Sequence, residues 1–92
     1  MPPFTPAEVA SHLAALPAWQ VEGDQLVRSF QFPDFLAAMR FVNRVAGLAE
    51  EAGHHPDIDI RYNRVLLGLT THDAGGLTAK DFCLAACIDK LS

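Results

Sequence analysis

Apolar residues along the chain recur at helical spacing in some stretches and at every second position in others. Val9, Leu13 and Leu16 form the first stripe, at i, i+4 and i+7. It begins at Thr5-Pro6-Ala7-Glu8, where Thr5 caps, Pro6 fits the first turn and Glu8 completes a capping box. Pro17 lies just beyond, so a short helix is expected. Trp19 to Glu22 and Leu26 to Phe32 then predict two strands around Gly23-Asp24. In the second strand Leu26, Phe30 and Phe32 share one face, with Ser29 and Gln31 on the other; Arg28 interrupts the apolar face. Asp34 caps the longest predicted helix, along which Phe35, Met39, Val42, Ala46 and Ala49 recur with Phe41, Val45 and Leu48 beside them. So broad an apolar arc suits a helix laid across a sheet, and Gly53 suits a left-handed C-terminal cap.

The second half repeats the pattern. Asp57 to Tyr62 alternates strictly, with Ile58, Ile60 and Tyr62 facing in. Asn63-Arg64 predicts the turn, and Val65 to His72 the return strand, with Val65, Leu67, Leu69 and Thr71 on one side. Gly75-Gly76 breaks the chain before the last helix. Thr78 and Asp81 form its capping box, Leu77 staples onto Phe82, and Leu84, Cys87, Ile88 and Leu91 make its buried stripe. The order α-β-β-α-β-β-α, with two antiparallel hairpins flanked by helices, predicts a two-layer α+β domain.

Composition narrows the function classes. The chain has 92 residues, enough for one domain spanning 1–92. Half of them are apolar and a fifth charged, a globular balance. A net charge of -4 and the lack of a basic stripe argue against nucleic-acid binding. The opening MPPFTPAEV has neither the charged nor the apolar region of a secretory leader, and no apolar run reaches membrane-span length. A reduced, cytoplasmic protein is the expectation, with Cys83 and Cys87 behaving as small buried apolar groups. So short a chain buries a limited share of its surface, which favours self-association.

The chemistry concentrates at Gly53-His54-His55-Pro56-Asp57, where the proline disfavours helix for the residue before it. With Asn63-Arg64 as a two-residue turn, Tyr62 pairs with Val65, Asp57 with Thr70, and His55 would face His72. Directly opposed residues have Cβ atoms about 5 Å apart on the same side of the sheet. Three of the four histidines therefore converge, with Asp81 near them; His12, on the first helix, reads as solvated. Imidazoles with a carboxylate suit either metal binding or proton transfer near neutral pH. Adjacent histidines in an extended segment diverge, which mildly favours acid–base chemistry on one flat ligand. By pattern alone Asp81 is a helix cap, while Trp19 and Tyr62 are packing residues.

Glu50, three residues, His54-His55-Pro56, five residues, Tyr62, nine residues, His72, eight residues and Asp81 together resemble the signature of the pterin-4a-carbinolamine dehydratases. The resemblance extends through W-x-x-E-G at Trp19–Gly23, F-x-F-x-D-F at Phe30–Phe35, Y-N-x-V at Tyr62–Val65, Thr71-His72 and G-L-T at Gly76–Thr78. It implies a four-stranded antiparallel sheet with three helices on one face, assembled as a homodimer or homotetramer. It also implies dehydration of a 4a-hydroxytetrahydropterin to the quinonoid dihydropterin and water, recycling the pterin for an aromatic amino-acid hydroxylase, with no metal or organic cofactor. On this resemblance His54 and His72 transfer protons, His55 positions the pterin and Asp81 orients His72. Glu50, Trp19, Thr70 and Thr71 contact substrate. Two positions depart from the pattern: Gly53 stands where many relatives carry an acid, and Thr70 where serine is common. The competing readings are a dimerisation or assembly module and a metal-dependent enzyme using the same cluster.

Overall fold

Strand pairing fixes the position of everything else. The computed structural model describes residues 2–91. Its elements run α1 (Pro6–Leu13), β1 (Gln20–Glu22), β2 (Gln25–Gln31), α2 (Phe35–Ala52), β3 (Asp57–Arg61), β4 (Arg64–Leu69) and α3 (Ala79–Asp89), with a 3-10 turn at His72–Ala74 before α3. The four strands form one antiparallel sheet in the order β1-β2-β4-β3, so the two hairpins lie side by side through β2 and β4. The α-β-β-α-β-β-α order and the two-layer architecture are those expected from the sequence.

Alternation decides which face is covered. Leu26 and Phe30 of β2 and Val65, Leu67 and Leu69 of β4 point to one side and are buried. They form one cluster with Ala38, Phe41, Val42 and Val45 of α2 and Phe82, Leu84, Ala85 and Ile88 of α3, while Val9 and Leu13 of α1 pack against its margin. All three helices thus share one face, and each fully buried leucine contributes about 1.5–3 kcal/mol through removal from water. Arg28 lies on this inward face without breaking it. Its guanidinium sits 4.2 Å from the Phe30 ring centroid and pairs with Asp89 at 2.5 Å. The Trp19 indole N–H donates to the same carboxylate at 2.8 Å, so Asp89 ties β2 and the segment before β1 to the end of α3. On the open face the Gln25 amide crosses Gly68 to donate to Asp57 at 2.9 Å; a Cβ at Gly68 would lie 3.3 Å from the Gln25 side chain.

Several sequence expectations need correction. The β3–β4 turn is Tyr62-Asn63, not Asn63-Arg64, because Arg61 pairs with Arg64 and Asp57 with Gly68. Every pairing partner therefore moves by two residues. A shift of two preserves the side each residue faces, so Ile58, Ile60, Val65 and Leu67 keep their predicted orientation. Tyr62 does not face in; it occupies the left-handed region at φ 52 and is exposed. The turn is docked on the neighbouring hairpin: the Asn63 side chain donates to the Phe32 carbonyl at 2.9 Å, and the Phe32 N–H donates to the Asn63 carbonyl at 2.8 Å. That docking holds Asn63 inside the turn. Phe35 and Ala46 of α2 are exposed, since the helix turns a narrower face to the sheet than its composition suggests. Cys83 and Cys87 are also exposed: α3 buries Phe82, Leu84, Ala85 and Ile88, leaving the cysteine side of the helix outward.

The turn assignment has a direct test. Tyr62→Gly relieves a left-handed tyrosine, worth about 1 kcal/mol, against a comparable glycine entropy cost. Urea unfolding of this variant should give a stability within about 1 kcal/mol of wild type. A loss above about 2 kcal/mol would mean that Tyr62 packs inward as a strand residue.

Candidate active site

The end of α2 launches the histidine pair. Gly53 takes the left-handed conformation at φ 62, its N–H donating to the Glu50 carbonyl, and the His54 N–H reaches back to the Ala49 carbonyl at 3.1 Å. These two bonds form a Schellman motif, which fixes the direction in which the chain leaves the helix. Opposite it, Thr71 and Gly76 pair as an isolated bridge, closing a tight loop that carries His72 and turns at Gly75 with φ 77. His54, His55, Thr70, Thr71, His72, and Lys80 at the start of α3, line one pocket of about 240 Å³. The three histidines thus line one pocket as expected, but not by the expected route, because the observed register no longer sets His55 opposite His72.

A buried carboxylate underlies the pocket. Asp81 has no exposure to solvent. Its Oδ2 accepts the Thr78 backbone N–H at 2.9 Å and the Thr71 hydroxyl at 2.8 Å, and its Oδ1 lies 2.5 Å from His54 Nε2. Thr71 Oγ1 is also 2.9 Å from Thr78 Oγ1. Since the single Thr71 hydroxyl proton is directed at Asp81, Thr78 donates to Thr71. With the carboxylate ionised all donors point toward it, and His54 Nε2 carries the proton on that side. Nδ1 of His54 is left as the nitrogen not engaged by Asp81. His55 is held differently: its Nε2 contacts Glu50 Oε1 at 2.6 Å, with both side chains largely in solvent.

These contacts revise the expected assignments. Asp81 bonds His54 rather than His72, which lines the pocket from the 3-10 turn after β4. Trp19 is 2% exposed, packs edge-on against Phe30 with ring centroids 6.3 Å apart, and does not line the pocket. Its place is in the core, as the pattern reading has it. Thr71 lines the pocket, but its hydroxyl is committed to the carboxylate. Thr70 is buried, lines the pocket and has a hydroxyl without a partner among the described residues. His12 is exposed as expected, with its ring stacked on Phe4 at 4.7 Å between centroids. The sequence reading passed over Thr78 as more than a cap, and over Lys80 and Asp73 as lining residues. Thr78 had a signal, the capping box that places its N–H on Asp81; an exposed lysine beside a cap has none. Among the described residues no group of three or more His, Cys, Asp or Glu side chains is placed to hold a metal ion, and no helix is long and apolar enough to cross a membrane.

The chain and its fold are similar to those of known proteins. Residues 2–91 match the family model described as pterin 4 alpha carbinolamine dehydratase. The chain belongs to that family. A relative from Chloroflexus aurantiacus, named "Putative pterin-4-alpha-carbinolamine dehydratase", is 62% identical over 91 residues, covering 99% of this chain and 98% of its own. Among solved structures, a "transcriptional coactivator/pterin dehydratase" from Brucella melitensis matches with TM-score 0.92 at 37% identity, covering 97% of each chain. A second, described as a pterin dehydratase-like protein and a RuBisCO assembly factor in the alpha-carboxysome, matches with TM-score 0.65 at 27% identity, covering 79% of this chain and 84% of that one. The fold is thus that of the pterin dehydratases, and the family supports dehydratase activity on a pterin in general terms.

The hydrogen-bond network makes a quantitative prediction. Thr71→Val keeps the side-chain shape and removes one donor to a buried carboxylate, so the unfolding free energy in urea should fall by about 1–3 kcal/mol. An unchanged value would mean that Asp81 does not depend on the Thr71 hydroxyl.

Proposed function

We propose that this protein dehydrates a 4a-hydroxytetrahydropterin to the quinonoid dihydropterin and water by histidine acid–base catalysis, serving tetrahydropterin recycling. The observation that carries the reading is the gathering of His54, His55 and His72 around one pocket, with His54 backed by the buried Asp81. Breaking the C4a–O bond requires a proton on the departing hydroxyl, which leaves as water, and loss of a proton from a ring nitrogen. A protonated imidazole supplies the first and a neutral imidazole accepts the second.

In this reading His54 and His72 are the proton-transfer pair, approaching the ligand from the helix side and the 3-10 turn side of the pocket. Asp81 orients His54 by accepting from its Nε2. His55, steadied by Glu50, positions the pterin, and the free oxygen of Glu50 suits the N–H donors of the amino-pyrimidine edge. The unpartnered Thr70 hydroxyl is a further candidate for contact with the ligand. The reaction needs no cofactor. Work in the cytoplasm, assembly as a homodimer or homotetramer, and a functional link to an aromatic amino-acid hydroxylase belong to the same proposal.

A second reading is favoured by the neighbour described as a RuBisCO assembly factor: a fold of this kind acting through its surfaces as an assembly or dimerisation module. Such a role makes no use of the His54–Asp81 pair. Decay of a 4a-hydroxytetrahydropterin, followed optically, separates the two. Wild type should exceed the buffer rate, and His54→Ala and His72→Ala should each fall by about 10²- to 10⁴-fold. Wild-type decay no faster than buffer would leave the module reading in place. Treatment with a chelator should not change the wild-type rate; abolition would transfer the reaction to a bound metal.

A further inference from the structure

The hydroxyl groups behind the histidine pocket form a chain with one direction. Thr78 is 1% exposed; its Oγ1 accepts the Lys80 backbone N–H at 3.3 Å and lies 2.9 Å from Thr71 Oγ1. Thr71 Oγ1 in turn lies 2.8 Å from Asp81 Oδ2. Each hydroxyl has one proton to give. The Lys80 N–H can only donate, and an ionised carboxylate can only accept. The donations therefore run from the start of α3 through Thr78 and Thr71 to Asp81. In the reverse order Thr71 would donate to Thr78. The Thr78 proton would then be buried with no acceptor among the described residues, and Asp81 Oδ2 would lack a donor, both costly in the interior.

We propose that Thr78 is a positioning residue for the reaction: its hydroxyl fixes the direction of this chain and so holds His54 in the tautomer with its proton on Nε2. The inference rests on the dehydratase reading, in which His54 exchanges a proton with the ligand. With the Nε2 proton committed to Asp81, the neutral ring keeps a bare Nδ1, which can take up a proton and return it. Remove the Thr78 hydroxyl, and Thr71 loses the donor that points its own proton at Asp81. The pair then gains a second arrangement, with a proton on the carboxyl group, Nε2 accepting from it and the ring proton on Nδ1. In that form Nδ1 has no lone pair to offer. Thr78 does not line the pocket, so it acts through Thr71 and Asp81 rather than on the ligand. Its backbone N–H, which donates to Asp81 Oδ2 at 2.9 Å, is kept by any substitution other than proline, so the two roles of the residue can be separated.

Ring-nitrogen NMR reads the tautomer of His54, and turnover of a 6-methyl 4a-hydroxytetrahydropterin reads its use. In wild type, at a pH where the ring is neutral, Nε2 should carry the proton and Nδ1 should be bare. Thr78→Val keeps the side-chain shape and the backbone donor while removing the hydroxyl. It should move the His54 signals toward the Nδ1–H form and lower kcat by about tenfold or more, the effect of losing one hydrogen bond to a charged group. KM should stay within about twofold of wild type, because the ligand contacts are untouched. Thr78→Ser, which returns the hydroxyl without the methyl, should restore both readings. A wild-type ring with its proton on Nδ1 would overturn the inference, and that measurement needs no variant to fold. Thr78→Val with wild-type ring signals and kcat would overturn it too. So would Thr78→Ser behaving like Thr78→Val, since shape rather than the hydroxyl would then be at work. A wild-type protein with the expected ring signals but no turnover would remove the dehydratase reading, and with it the catalytic use of the tautomer.

Discussion

A carboxylate wholly withdrawn from water is costly unless its oxygens are met by donors, and the site is built around meeting that cost at Asp81. Three elements contribute. The N-terminus of α3 offers the Thr78 N–H, the segment just after β4 offers the Thr71 hydroxyl, and the loop leaving α2 offers His54. Thr71 and Thr78 lie seven residues apart, whereas His54 is 27 residues from Asp81 and reaches it only through the fold. Asp81 therefore acts at once as helix cap, as the tie between β4 and α3, and as the acceptor that sets which nitrogen of His54 carries its proton. The same bonds that make the helix start stable make the imidazole stand in one orientation.

Much of this was legible in the sequence because local rules and tertiary needs agree. Both capping boxes, the glycine at the end of α2 and the alternation of β4 reappear in the structure at the expected residues. His54, His55 and His72 also line one pocket, although the expected opposition of His55 and His72 across β3 and β4 does not occur. What failed depended on contacts between distant segments. Tyr62, expected as the last strand residue, joins Asn63 in the turn, and that turn docks on Phe32 of the other hairpin, a partner no local pattern reveals. The partner of Asp81 depends on whether the α2 exit or the 3-10 turn lies closer to α3. The side that α3 turns to solvent depends on how it packs against α2 and the sheet. An apolar residue such as Cys87 at a stripe position says nothing of which stripe is used.

The two-residue change of register also shows why the site tolerates the error. A slip of one would have sent every β4 side chain to the other face, whereas a slip of two preserves the sides and alters only who faces whom. The histidines sit beyond the ladder, on segments fixed by the Schellman motif at Gly53 and by the Thr71–Gly76 bridge. Their meeting thus depends on how two loops are closed more than on any single strand pair. Family membership and fold agree with this geometry.

Side-chain nitrogen NMR of all four histidines, recorded while an unreactive 7,8-dihydropterin is added, tests the central claim most directly. The account predicts that the resonances of His54, His55 and His72 move together along one saturation curve while those of His12 stay in place. Movement of His12 alone, or no movement of His54 at saturating ligand, would contradict it.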